Sequence, residues 1–469
     1  MKEFVKKVGM RLTAAALLVP GASLVALTFA RLGMKLGRSW LRAHPDRYLT
    51  ASKTLRFLHR RLGLVRDRDL TGATGRLWEK ADRDLEAQVR AWMAAEPNPA
   101  ELRRINHALV AYDADVRAET CKGFPFRGNI EITSHCNLRC PMCTQGVLSE
   151  LTYLHLNVDR LKPIEPALRA LEHLSLVGLG ETFVHPDHRE FIRRTKVHGV
   201  TLRVISNGIL LDEDTARFLV ETGLDELWIS LDAVRPDTYR HIRGVDQFDR
   251  IVANIRRLNA IKAERGSAVP DLNMNFVARR SNIEQLPDFV RLAKDLGATA
   301  VHACYMMVYS QALRADSLFY DKPLANRYIL EARQTAEELG LRFYGPDLFR
   351  LEDGAEAAVA AAPSEPVRQG YRGCREAWEF VFFNCEGRVV PCCVEQARLG
   401  DLAEADFAEI WNGRAYRDYR HSLKGDNASV FCQNCMMVGL RDTNREECHV
   451  RLLFEEEELR RKAEKDKKV

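Results

Sequence analysis

Three cysteines, Cys136, Cys140 and Cys143, stand in the stretch SHCNLRCPMCTQG with C-x3-C-x2-C spacing, directly after an alternating apolar segment. Three thiolates this close in the chain can hold three irons of a cubane cluster and leave the fourth iron without a protein ligand. That open corner can take the amino and carboxylate groups of a small molecule. A zinc site would want a fourth ligand nearby, and His135, immediately before Cys136, would be strained in that role. Further on, Cys374 is followed by twelve residues, Gly387, four residues and Cys392, and the pair Cys432 and Cys435 comes forty residues after Cys392. Four thiolates from two hairpin-like elements can saturate a second cluster; a four-cysteine zinc site is the alternative. Cys385, Cys393 and Cys448 are left over, with Cys393 a substitute for Cys392 that the glycine spacing disfavours. Cys121 and Cys304 read as small buried hydrophobes, although Cys304 sits where a thiol could donate a hydrogen atom to a product radical.

The elements that must position these thiols alternate in type. Strand-like segments fall at Asn129–Thr133, His173–Gly180, Leu202–Gly208, Glu226–Asp232, Leu272–Arg279 and Ala300–Met307. Amphipathic stretches such as DEDTARFLVETG and IEQLPDFVRLAKDLG separate them, with Asp212 and Asp214 where a helix N-terminus favours negative charge. Six strand-then-helix units imply an α/β fold with a parallel sheet and right-handed crossovers. Six rather than eight predicts a partial (β/α)6 TIM-like barrel over residues 125–345, whose chemistry belongs on the loops after the strands. Around it the reading places a basic and apolar segment at 1–50 and a helical region at 51–124. Beyond it come a linker at 346–370, a small C-terminal iron–sulfur domain at 371–445 and a charged tail at 446–469.

The cysteine loop and the six units resemble the radical S-adenosylmethionine (SAM) superfamily over roughly residues 125–340. In that family the open iron is chelated by SAM, whose reductive cleavage gives methionine and a 5′-deoxyadenosyl radical that abstracts hydrogen from substrate. The resemblance implies further cofactor contacts. Gly178, Gly180 and Glu181, in GLGE, match the family's glycine-rich motif; glycines allow close backbone approach and the carboxylate suits an ammonium. Ser206 and Asn207 end the third strand, and Ser230 and Asp232 the fourth. Both pairs suit ribose hydroxyls or the SAM carboxylate. Arg243, in YRHIRG, resembles an arginine near that carboxylate. Met142 stands where an aromatic is common beside adenine, and a polarizable thioether can fill that place. The second cysteine group and GDLAEADFAEIWNG, at Gly400–Gly413, resemble the auxiliary-cluster extension called SPASM. Its pattern would continue at positions held here by Arg441 and Arg445, so the resemblance is to the shorter, single-cluster "twitch" variety. The implied cofactors are two [4Fe-4S] clusters and SAM.

Composition narrows the setting. With 46% hydrophobic and 29% charged residues the chain reads as globular rather than disordered. Twelve cysteines in 469 residues, clustered as they are, read as metal ligands in a reducing compartment rather than a disulfide scaffold. Residues 1–66 hold fourteen Lys and Arg against Glu3 and Asp46, a surplus of twelve; the whole chain is +5, so the remainder carries −7. A basic face confined to one end suits a polyanionic surface. No aromatic interleaving or recognised module favours nucleic acid. The apolar run Thr13–Ala30 lies at the short edge of a membrane span and is broken by Pro20-Gly21. A membrane-surface anchor, a buried helix and an export signal all fit it. The setting expected is cytoplasmic, with contact to the cytoplasmic face of the membrane through the N-terminus.

The function expected is that of a radical SAM oxidoreductase or modifying enzyme served by an electron donor such as flavodoxin or ferredoxin. A fully cysteine-ligated second cluster suits electron transfer. Oxidation of a carbohydrate or lipid-linked alcohol ranks first as the reaction, and peptide modification second. A non-catalytic iron–sulfur or zinc protein is the competing class.

Overall fold

Leu202 and Val204 are fully buried and alternate with the half-buried Arg203 and Ile205, the period-2 pattern of a strand packed on helices. The same alternation recurs through the chain and builds one sheet. A computed structural model describes residues 98–148, 153–351, 373–393, 397–433, 435 and 443–452. The strands are β1 (Arg127–Ile130), β2 (His173–Leu176), β3 (Thr201–Ser206), β4 (Glu226–Ser230), β5 (Asp271–Ala278), β6 (Ala300–Tyr305), β7 (Arg342–Tyr344), β8 (Phe380–Phe383), β9 (Arg388–Val390) and β10 (Gly400–Asp401). Their order in the sheet is β10-β9-β8-β1-β2-β3-β4-β5-β6-β7. β1 to β8 pair in parallel, and among the described strands β8–β9 and β9–β10 are antiparallel.

The six expected strands are present, each within a few residues of its expected place. Two features go beyond that reading. β7 adds a seventh parallel strand of three residues, Arg342–Tyr344, against β6. On the other edge β8 pairs in register with β1, Arg127 opposite Phe380 and Ile130 opposite Phe383. The C-terminal strands therefore extend the barrel's own sheet across the expected linker. Residues 446–452 differ from a solvated tail as well. Cys448 and His449 are buried, and Val450 bridges to Val308 just past β6.

Crossover helices end on local signals. Asp212 accepts a hydrogen bond from the Thr215 amide at the start of helix Glu213–Thr222, and Gly223 closes it at φ +67°, a left-handed conformation that glycine adopts without strain. Asn98 caps helix Pro99–Asp115 through the Ala100 and Glu101 amides, with Pro99 in the first turn. This helix places Asp113 in the core, where its Oδ2 accepts from the Lys122 amide at 2.6 Å and the Gly123 amide at 3.2 Å.

Burial pushes the Asp113 carboxyl up to about 6, against Lys122 and the two amides, which pull it down. A folded pKa above the unfolded one gives stability that is complete below about pH 4 and lost as pH rises through about 6. Asp113→Asn keeps an acceptor for both amides and removes the charge. The melting temperature of the variant minus that of wild type is expected to grow between pH 4.5 and 7.5, by the equivalent of about 3 kcal/mol at most. A difference that stays flat across that range would contradict this.

The residues Thr13–Ala30, and the rest of the expected 1–50 segment, lie outside the described residues. Among the described residues no helix is long and apolar enough to cross a membrane.

Candidate metal centre

β1 delivers the chain into the cysteine loop at the C-terminal edge of the sheet, where the loops of parallel strands converge. The Cys143 amide donates to the Cys140 carbonyl at 2.9 Å, and the Gly146 amide to the Cys143 carbonyl at 2.9 Å. That turn has no room for a side chain at Gly146, where a Cβ would lie 2.2 Å from the Cys140 carbonyl oxygen. The Leu138 amide donates to Cys136 Sγ at 3.4 Å, and Asn207 Nδ2 reaches the same sulfur at 4.0 Å. Arg243 Nη1 donates to Cys140 Sγ at 3.8 Å. Each of the three thiols lies within electrostatic reach of the others. Burial pushes the Cys136 thiol up to about 11, and it raises Cys140 as well, with Arg243 opposing. Metal ligation resolves this cost, because a cluster takes the sulfurs as thiolates, and N–H donors aimed at sulfur favour that charge.

The expected cofactor residues gather around the loop. Glu181 is buried; it accepts from Ser206 Oγ at 2.8 Å, the Asn207 amide at 2.7 Å and the Phe183 amide at 3.3 Å. Burial raises its pKa, and these donors oppose the rise. The carboxylate thus holds the end of β3 in place. Ser206 Oγ also accepts from the Gly208 amide. Asn207 Nδ2 donates to Asn137 Oδ1 at 2.7 Å, which ties the end of β3 to the cysteine loop. Gly180 abuts that loop so closely that a Cβ would lie 2.2 Å from the Thr133 carbonyl oxygen and 2.7 Å from that of His135. Gly178 packs on the Glu131 side chain in the same way, at 2.3 Å. Both glycines are therefore required by contacts within the protein.

Asp232 takes φ +62° at the end of β4, is buried, accepts from the Val277 amide at 2.7 Å and pairs with Arg243. Burial would lower the Arg243 pKa, but Asp232 and then Cys140 outweigh it, so the guanidinium keeps its charge beside the cysteine. Met142 is buried, and Ser230 accepts from Asn275 Nδ2 at 3.4 Å.

The second cysteine group flanks β8, with Cys374 before it and Cys392, Cys432 and Cys435 after it. Cys374 feels Cys435 and Cys432, and Tyr419 feels Cys432, Cys392 and Cys374. The Tyr419 hydroxyl lies 3.6 Å from Cys432 Sγ. Burial pushes the Cys374 thiol up to about 12, while Cys393 is exposed and lies within electrostatic reach of Glu376 and Cys435. Five thiols, not four, thus neighbour this site. Among the described residues no three His, Cys, Asp or Glu side chains converge as they would on a single metal ion.

Tyr309 lies within electrostatic reach of thiols from both groups. Burial raises its pKa, Arg451 opposes this, and Cys143, Cys393 and Cys304 add to it. The strap that carries Arg451 is held by the Val308 amide donating to the His449 carbonyl and the Arg451 amide to the Val308 carbonyl. Its guanidinium sits 4.2 Å over the Phe431 ring, one residue before Cys432. Sequence reasoning missed Tyr309, Asn137 and Glu131. Of these only Glu131 left a signal, as a charge inside the apolar run NIEIT.

The three-cysteine loop follows β1 beside the glycine-rich loop, and the cysteines of the second group flank β8 in the chain. Residues 130–293 match the radical SAM superfamily, and residues 374–436 match SPASM, an iron–sulfur cluster-binding domain. The chain is a radical SAM enzyme with a C-terminal SPASM domain, and its cofactors are SAM, the SAM-binding [4Fe-4S] cluster and an auxiliary cluster. It is 26% identical over 309 residues to the AdoMet-dependent heme synthase of Methanosarcina barkeri, covering 63% of this chain and 85% of the relative. It is 26% identical over 306 residues to the PqqA peptide cyclase of Granulibacter bethesdensis, covering 62% and 75%. The crystal structure of Streptococcus suis SuiB shares the fold, with TM-score 0.51 and 16% identity over 69% of this chain and 73% of that one.

Proposed function

We propose that Cys136, Cys140 and Cys143 hold the SAM-binding cluster, that Cys374, Cys392, Cys432 and Cys435 hold the auxiliary cluster, and that the enzyme oxidises a substrate bound between them. When bound, SAM and its cluster supply a 5′-deoxyadenosyl radical, and the auxiliary cluster supplies an electron acceptor. The observation that carries this reading is the position of Tyr309, within electrostatic reach of Cys143 from the first group and Cys393 from the second.

The chain's own residues bind, orient and exclude water. Arg243, held by Asp232, keeps positive charge beside Cys140. Glu181 fixes Ser206 and Asn207 where SAM is to be met, and Met142 offers the adenine a thioether. One face of the sheet carries a stack of side chains across β3, β4, β6 and β7. Arg203 lies 3.8 Å over Trp228, Trp228 4.0 Å from His302, and His302 4.4 Å from Tyr344. Alternation puts Ser230 and Cys304 on that same face, one step nearer the cysteine loop, with Asn275 beside Ser230. Tyr305, Phe349 and His449 pack together beside the strap and hold it against the end of β6.

Relatives named as peptide cyclases favour a peptide substrate. The amide and hydroxyl groups of Asn275 and Ser230 on the barrel lining favour a second reading, a hydroxylated carbohydrate or lipid-linked alcohol. The electron donor is of the flavodoxin or ferredoxin kind, and the setting is the reducing cytoplasm that clustered thiols need. The basic N-terminus gives contact with an anionic membrane surface.

Substrate class is tested with extract from deuterated cells, divided into peptide and small-molecule fractions and supplied to reduced enzyme with SAM. Deuterium entering 5′-deoxyadenosine from the peptide fraction supports the first reading, and from the small-molecule fraction the second. Label from neither fraction overturns hydrogen abstraction as the first step.

A further inference from the structure

Glu131 is the residue directly after β1, is buried, and belongs to none of the motifs that hold the clusters. Its backbone amide donates to the Phe383 carbonyl at the end of β8 at 2.8 Å. Its side chain turns the other way as well as this one. Oε1 accepts from the Leu179 amide, in the middle of GLGE, at 2.6 Å. Oε2 accepts from the Cys385 amide, on the turn between β8 and β9, at 3.3 Å. The Cys385 thiol shares hydrogen bonds with the Glu131 and Ser134 side chains, and burial pushes it up to about 12, with Glu131 adding to the rise.

A second path closes a ring. Gln145, two residues after Cys143, is buried; its Nε2 donates to the Ser134 carbonyl at 2.5 Å and to the Leu179 carbonyl at 2.9 Å. Two carbonyl partners require the amide nitrogen on that side, which fixes the orientation of the Gln145 side chain. Leu179 is therefore pinned at its N–H by Glu131 and at its C=O by Gln145. The ring runs from Glu131 to Leu179, Gln145, Ser134, Cys385 and back. It joins the glycine loop, the cysteine loop and the C-terminal domain in one polar circuit, anchored on the buried Glu131 and Gln145 side chains. Gly178 has no Cβ because that atom would overlap the Glu131 side chain. A buried carboxylate keeps such a position only where its donors are in place.

We propose that Glu131 is a positioning residue for SAM: it holds the Leu179 peptide of the glycine loop in its binding orientation and couples that loop to the C-terminal domain through Cys385. The inference rests on the reading of Gly178–Glu181 as the SAM loop. Removing the carboxylate takes away the acceptor that holds the Leu179 N–H and lets the loop turn, so SAM binding weakens while the cysteines stay where they are. Glutamine at this position retains an oxygen that can accept from the Leu179 amide, and so restores binding.

The test is equilibrium binding of SAM to the anaerobically reconstituted full chain, with iron content measured alongside and the electron paramagnetic resonance spectrum of the reduced protein recorded with and without SAM. Glu131→Ala is expected to raise the SAM dissociation constant about tenfold, equivalent to ~1.4 kcal/mol, at wild-type iron content, and to diminish the spectral change that SAM causes. Glu131→Gln is expected to recover most of the affinity. Cys385→Ser, which retains a hydroxyl toward Glu131, should bind as wild type does, whereas Cys385→Ala should weaken SAM binding without touching the cluster loop. Wild-type affinity and spectra in both Glu131→Ala and Cys385→Ala overturn the proposal. If Glu131→Ala does not fold, the Cys385 pair decides, and equal affinity in its two variants overturns the coupling. If wild-type protein with full iron binds no SAM, the reading of the loop itself has failed rather than the role of Glu131.

Discussion

Cys140→Ala is expected to reduce formation of 5′-deoxyadenosine to the background seen without enzyme. Cys140 is the middle thiol of the first loop, and its sulfur receives the Arg243 guanidinium that Asp232 holds in place. Removing it takes away one of three anchors and also leaves a buried cation facing an empty position, which is costly. The loss should therefore exceed that from a surface change and should be accompanied by loss of the first cluster's iron. Circular dichroism should remain that of wild type, because the sheet does not depend on this side chain. The measurement is 5′-deoxyadenosine released under anaerobic reduction, followed by chromatography. Turnover near the wild-type rate would remove Cys140 from the cluster.

Cys435→Ala is expected to separate the two halves of the reaction. SAM cleavage should proceed near the wild-type rate, while substrate product falls to background. Cys435 lies within electrostatic reach of Cys374 and of Cys393, and belongs to the second cysteine group rather than to the loop after β1. Its loss leaves the hydrogen bonds of the first loop and the glycine loop in place. Cys393 is the reason to make a second variant. If this fifth thiol replaces a missing ligand, Cys435→Ala will retain some product and the Cys393→Ala, Cys435→Ala double variant will retain none. Loss of SAM cleavage in Cys435→Ala would show that the two sites do not divide the work in this way.

Much of the site was legible because its signals are local. Cys136, Cys140 and Cys143 lie within eight residues, and the strand before them gives the loop its address. Gly178–Glu181 and Ser206–Asn207 follow strands whose alternation is clear, so their meeting at the sheet edge followed from a parallel topology. The structure does bring Glu181, Ser206, Asn207, Asp232 and Arg243 to the cysteine loop. What it adds is that Glu181 and Ser206 are bonded to each other, and Asp232 to Arg243.

The rest was hidden by distance along the chain. Glu131 meets Leu179 across 48 positions and Cys385 across 254, and no local pattern marks such partners. β7 has three residues, too few for a period to register. The pairing of β8 with β1 depends on which edge of the sheet stays open, a tertiary fact. Residues 446–452 are rich in charge and so read as a tail, yet Cys448, His449 and Val450 turn inward and dock beside β6.

The most direct test of two separate clusters is the iron, sulfide and zinc content per chain after anaerobic reconstitution. Wild type is to be compared with the Cys136→Ala, Cys140→Ala, Cys143→Ala triple variant. Two four-iron clusters predict about eight irons in wild type and about four in the variant, with sulfide in step and no zinc. About four irons and one zinc in wild type would contradict a redox role for the second site, and no iron in either protein would leave the enzyme without its initiator.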